Sequence, residues 1–233
     1  MGASQAHRGP DGTHHAARTD GRAVPAMNML LIVDPQAMPG PYLDCETGVL
    51  LAFDGEICNY RQQDAAWGIP LGPRDTDAHF VLRAWAKLGP SCLDGLDGMF
   101  ALSVYDPQAE KLFLAGDRLG EKPLHWRLDG GRLAFASEAT TLTGYGPAPL
   151  ALRPEVLSIE TPVGVDTPCQ GIQLLAPAPL LTFDIATGSL DQKAWWSLTG
   201  RQPVEGTYSA DRTRMQALMT AGWFCDQSVR APA

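Results

Sequence analysis

The chain has 233 residues, 45% of them hydrophobic, and a formal net charge of −8, so it can bury a substantial core and is not a disordered polymer. Its acidic and basic residues are interspersed with no basic block, which speaks against a surface that tracks nucleic-acid phosphates. The polar start from Met1 to Gly12 has no apolar signal core, and no stretch reaches the roughly 20 apolar residues of a membrane span, so neither nucleic acid nor membrane is expected as a partner and a cytoplasmic location is expected.

Residues 1–27 are rich in Gly, His, Arg and Ala and read as loop, without helical or strand periodicity. The apolar run Met29 to Asp34 then suits a buried strand ended by Asp-Pro. Gly48 to Gly55 reads as a second strand entering a tight Asp-Gly turn. A short helix is expected from Asn59 to Trp67, stopped by Gly68 and Pro70. A longer one runs from Thr76, a suitable N-cap, to Leu88 before Gly89-Pro90, with Val81, Trp85 and Leu88 sharing its core face.

After Leu88 the period changes from 3.6 to 2. Met99 to Tyr105 and Lys111 to Ala115 look like paired strands joined through Asp106-Pro107. Leu124 to Leu128 and Arg132 to Ala136 look like a hairpin around Asp129-Gly130-Gly131. The patch from Gly144 to Pro149 reads as a linker, Ile172 to Leu175 and Leu180 to Asp184 as strands, and Ser209 to Met219 as a helix in the tail. Strands, two helices and strands again argue an α+β fold with antiparallel pairing rather than a βαβ series.

The cysteines Cys45, Cys58, Cys92, Cys169 and Cys225 are odd in number and irregularly spaced, which reads as reduced thiols rather than a disulfide frame. His7, His14, His15 and His125 form no HxxxH helix, so no metal site is expected.

Six strings occur in one order: His7-Arg8-Gly9-Pro10-Asp11-Gly12, Asp54-Gly55-Glu56-Ile57-Cys58-Asn59-Tyr60, Asp75-Thr76-Asp77, Gly98-Met99-Phe100-Ala101, Asp117 to Leu124, and Phe135-Ala136-Ser137-Glu138. Together they resemble the class II glutamine amidotransferase domain of the asparagine synthetase family. A fainter likeness runs from Thr167 to Trp196. The resemblance implies an αββα sandwich of two antiparallel sheets covered by helices, of the N-terminal-nucleophile hydrolase type. It places a domain over residues 1–198, with a core over 7–142, a closing segment over 150–198 and a tail over 199–233.

In that family a cysteine at the mature N-terminus supplies both the attacking thiolate and a free α-amine as base. Met1-Gly2 stands at the start here, and Cys45 and Cys58 are internal, so the first strand and its cysteine are expected to be missing. The resemblance puts Asp54 where the family's oxyanion-stabilising Asn stands, beside a retained Gly55 N–H, so no catalytic set is intact. It also puts Met29 where an Arg anchors the substrate α-carboxylate. Ile32, Val33, Gly55, Glu56 and Asp75 remain as substrate-binding positions, Asp75 receiving the α-ammonium of glutamine.

No Ser-Gly-Gly-x-Asp-Ser loop precedes Ala233, so ATP and Mg would belong to a synthetase domain that is missing, and no cofactor is expected in this chain. The expectation is a glutaminase-deficient, asparagine-synthetase-like amidotransferase domain acting with a separate synthetase. The alternatives are an active glutamine-hydrolysing enzyme with a mis-assigned start, and a non-enzymatic scaffold.

Overall fold

The computed structural model describes residues 2–16, 24–29, 40–145, 151–157 and 164–199, together with Thr213 and Gln216. A 3-10 segment, Gly2–Arg8, leads into β1 (Gly12–His15) and β2 (Ala26–Met29), followed by β3 (Tyr42–Leu43) and β4 (Leu50–Ile57). Helices α1 (Tyr60–Trp67) and α2 (Asp77–Leu88) come next, then β5 (Gly98–Asp106), β6 (Lys111–Gly116), β7 (His125–Asp129) and β8 (Arg132–Ala136). The remaining elements are α3 (Ala139–Leu142), α4 (Pro154–Leu157), β9 (Gln173–Leu174), β10 (Pro179–Asp184) and β11 (Leu190–Ala194).

The strands form a six-stranded sheet in the order β11-β10-β6-β5-β4-β3, a three-stranded sheet β8-β7-β9 and the separate hairpin β1-β2. Side chains alternate across a strand, so β5, β6 and β10 of the six-stranded sheet each serve two cores. Phe100, Leu102, Val104 and Phe113 meet Phe80, Val81 and Trp85 of α2 on one face. Ala101, Leu114, Leu181 and Phe183 turn to the other face and meet Trp126 and Phe135 of the three-stranded sheet. Behind that second sheet, Ala134 and Ala136 pack on Leu142 of α3. The layers therefore run helix, sheet, sheet, helix, which is the expected αββα sandwich with every ladder antiparallel.

Local chemistry sets the boundaries. Gly68 ends α1 in the left-handed conformation, at φ 59°, where a side chain would be strained. The β7–β8 hairpin turns on Gly130 and Gly131, with φ 54° and 74°, the geometry that a two-residue turn of this hand demands.

Several expectations need correction. Residues 1–27 are not simply loop: Gly2–Arg8 coils and β1 pairs with β2, because backbone pairing does not need an alternating hydrophobic pattern. Asp54-Gly55 makes no turn but lies inside β4, paired with β5. Leu88 leaves the core face of α2 and is 38% exposed, since the helix ends there. Strand β11, a polar edge, gave no periodic signal.

Cys58 is disulfide-bonded, so the reduced-thiol reading fails there and holds, among the described residues, for Cys45, Cys92 and Cys169; Cys225 lies outside them. The Met29–Asp34 strand is described only as far as Met29, and the tail helix only at Thr213 and Gln216; the rest of both, with part of the Gly144–Pro149 patch, lies outside the described residues. No helix among the described residues is long and apolar enough to cross a membrane.

Candidate functional site

In β4, Asp54 pairs with Ala101, Gly55 with Phe100 and Glu56 with Met99. Leu51, Phe53 and Ile57 enter the helix-side core, so alternation sends Asp54 and Glu56 to the opposite face, the side of the second sheet. Gly55 is required by proximity, because a Cβ there would lie 2.2 Å from the Met99 carbonyl oxygen and 2.6 Å from the Phe100 Cα. The backbone of β4 is thus held against β5 at the position that the resemblance assigns to the oxyanion N–H.

The Asp54 carboxylate sits between two cations. Lys122 Nζ is 3.4 Å from Oδ1 and Arg8 Nη2 is 3.6 Å from Oδ2. Arg8 also lies 3.7 Å from Glu138 Oε1, which His7 Nε2 contacts at 2.8 Å. The His7 hydrogen bond holds the Glu138 carboxyl below the usual glutamate range against the opposing effect of desolvation. Four of the six sequence strings therefore meet here in space, through Arg8, Asp54, Lys122 and Glu138. Their pairing with Asp54 is invisible in the sequence, because the strings are separated by tens of residues.

Lys122 owes its position to Asp117. That aspartate is 1% exposed. Its Oδ1 accepts the N–H groups of Leu119 at 2.9 Å and Glu121 at 3.0 Å, and its Oδ2 accepts those of Phe100 and Lys122, both at 3.2 Å. A buried carboxylate is tolerated when backbone donors surround it. The four backbone donors that Asp117 gathers give this loop a structural role. The neighbouring Arg118 pairs with Asp97, donates to the Asp94 carbonyl at 3.1 Å and lies over the Trp195 ring.

Asp75 occupies a second network, at the start of α2. Its Oδ2 accepts the Gly72 N–H at 2.6 Å and Arg83 Nη1 at 2.6 Å. Desolvation would raise its carboxyl, but the Gly72 hydrogen bond and the Arg83 guanidinium outweigh it and hold the group below the ordinary aspartate value. His79 Nδ1 accepts the Thr76 N–H at 3.2 Å, capping the helix. Asp77 is half-buried, and desolvation raises its carboxyl although it accepts the N–H groups of Ile57 and Ala78. The Ile57–Asp77 bond ties this helix start to the end of β4, next to Glu56.

Ile32 and Val33 lie outside the described residues, as does the side chain of Met29. Among the described residues, no cluster of three His, Cys, Asp or Glu side chains could hold a metal ion. Cys92 is no nucleophile candidate: it is fully buried, and burial pushes its thiol up to about 12.

Comparison with known proteins gives this arrangement a context. Residues 1–196 match the family described as glutamine amidotransferase domain. Asparagine synthetase B [glutamine-hydrolyzing] of Escherichia coli is 34% identical over 138 residues, covering 58% of this chain and 24% of its own length. Asparagine synthetase [glutamine-hydrolyzing] 2 of Bacillus subtilis is 28% identical over 144 residues, covering 61% of this chain and 19% of its own. The chain thus matches only about a fifth to a quarter of the length of these relatives. Among solved structures, the glutamine phosphoribosylpyrophosphate amidotransferase from B. subtilis aligns with 69% of this chain and 32% of its own, at 16% identity and a TM-score of 0.48. With the match to residues 1–196 and these relatives, the chain belongs to the glutamine amidotransferase domains of the asparagine synthetase family.

Proposed function

We propose that this domain keeps the frame of an asparagine-synthetase-type glutamine site but does not hydrolyse glutamine. It serves a synthetase unit in which the ATP and Mg chemistry resides. The observation that carries this reading is the Asp54 carboxylate lodged between Arg8 and Lys122.

Attack on the side-chain amide of glutamine builds negative charge on the former carbonyl oxygen. A family member of this kind meets that charge with an Asn amide and the next Gly N–H, donors each worth roughly 2.7 to 4 kcal/mol. An ionised Asp54 offers only acceptors. Its charge repels the oxyanion that the Asn amide would stabilise. Arg8 and Lys122 offset that charge, but in doing so they are engaged by Asp54 rather than directed at a developing oxyanion. Gly55 keeps its backbone geometry, so shape persists where the electrostatics are reversed.

The test is covalent trapping. A diazoketone analogue of glutamine alkylates a thiolate only where the site binds the amino acid and activates the nucleophile. Intact-mass spectrometry of the native protein after incubation should show no adduct. A stoichiometric adduct on a cysteine would overturn the reading and favour an active glutamine-hydrolysing enzyme.

A further inference from the structure

Asp75, His79 and Arg83 follow one another at intervals of four residues, with His79 and Arg83 on α2 and Asp75 just ahead of its N-terminus. Side chains on a helix lean toward its N-terminus, so residues at this spacing stack along one stripe and the last can reach back toward the first. Arg83 does so. Its Nη1 donates to Asp75 Oδ2 at 2.6 Å and to the Pro70 carbonyl at 2.6 Å, while the Gly72 N–H takes the same carboxylate oxygen at 2.6 Å. The Asp75 side chain is only 16% exposed, and that of Arg83 is 38% exposed.

We propose that Arg83 is a built-in competitor for the α-ammonium of an amino-acid ligand, and that it determines how far this pocket can distinguish an amino acid from the same molecule without its amine. This rests on the glutamine-site reading above, which makes Asp75 the ammonium receptor. A carboxylate recognises an ammonium by offering it charge and lone pairs in a partly desolvated place. At Asp75 both are already committed to a guanidinium tethered on the same helix, at an effective concentration that a free ligand does not match. An incoming ammonium must displace Arg83 or share the carboxylate with it, and sharing brings two cations together. The amine of the ligand then contributes almost nothing to binding, and recognition falls to the groups around Gly55 and Glu56.

Titration calorimetry with two probes reads this directly: L-glutamine, and glutaramate, which has hydrogen in place of the α-ammonium. The native protein should bind the two within about threefold of each other. Arg83→Gln keeps a donor for Pro70 but removes the charge, and Arg83→Ala removes both. In each, glutamine should gain at least about tenfold over glutaramate, the usual scale of a charge-assisted contact. The native ratio alone tests the idea if a variant fails to fold: a native preference for glutamine of tenfold or more would overturn it. A ratio unchanged in both folded variants would also overturn it, while leaving the glutamine site intact. Binding of neither probe by any form would instead remove the glutamine-site reading, and the inference with it.

Discussion

Asp117 and Phe100 are bonded in both directions: the Asp117 N–H donates to the Phe100 carbonyl at 2.8 Å, and the Asp117 carboxylate accepts the Phe100 N–H at 3.2 Å. Phe100 in turn pairs with Gly55 across β4 and β5. The loop that carries Lys122, the strand that carries Asp54 and the core therefore share one buried carboxylate. Asp117→Ala strands up to four backbone donors, each costing about 1 to 3 kcal/mol if left unmet. Denaturant unfolding should show a loss of at least about 3 kcal/mol, whereas a loss below about 1 kcal/mol would mean that water replaces the carboxylate at little cost.

Gly55→Ala should be far more damaging than its single added methyl suggests. The new Cβ meets backbone, not a mobile side chain, at 2.2 Å, so β4 must move away from β5 within the six-stranded sheet. The expected loss is about 2 to 4 kcal/mol, in the range of severe overpacking with broken ladder bonds. Amide exchange localised to β4 and β5 checks the mechanism; a uniform change across the chain would point elsewhere.

Stability should fall as the pH is lowered through the histidine range. Burial lowers the His79 imidazole from its ordinary 6.5, with Asp75 opposing and Arg83 adding to the shift. Burial likewise lowers His125, against the hydrogen bonds it makes with Ser137 and Ala136 at the C-terminal end of β8. A histidine depressed in the folded state contributes stability that is present above its unfolded pKa and is lost as pH falls through the folded one. His79 gives this a structural meaning, because a protonated Nδ1 cannot accept the Thr76 N–H. Thermal unfolding should be level above about pH 7 and decline below about pH 6.5. The decline should flatten in the His79→Gln variant. A melting temperature that rises between pH 7 and 5.5 contradicts this assignment.

Much of this molecule was legible in the sequence wherever a local rule sufficed. The alternation in Met99 to Tyr105, the Asp129-Gly130-Gly131 turn and the stop at Gly68 each depend on residues within a few positions, and each element forms where it was expected. Asp54-Gly55 misled for a physical reason: the pair has the composition of a turn, yet the missing Cβ serves a close strand contact with residues more than 40 positions away. The burial of Asp117 and the cations around Asp54 are equally non-local, set by chain folding rather than by neighbouring residues. Arg83 is the exception. Its four-residue spacings from His79 and Asp75, beside the N-cap expected at Thr76, put this contact within reach of a local rule.

The Asp54 carboxylate, held between Arg8 and Lys122, should prevent amide cleavage. The most direct measurement follows ammonia release from glutamine labelled at its side-chain nitrogen, using the protein with its natural N-terminus. Release should be indistinguishable from buffer. Turnover above buffer that disappears in the Asp75→Ala variant would contradict the account, because it would require both a working oxyanion site beside Asp54 and an Asp75 that Arg83 does not withhold.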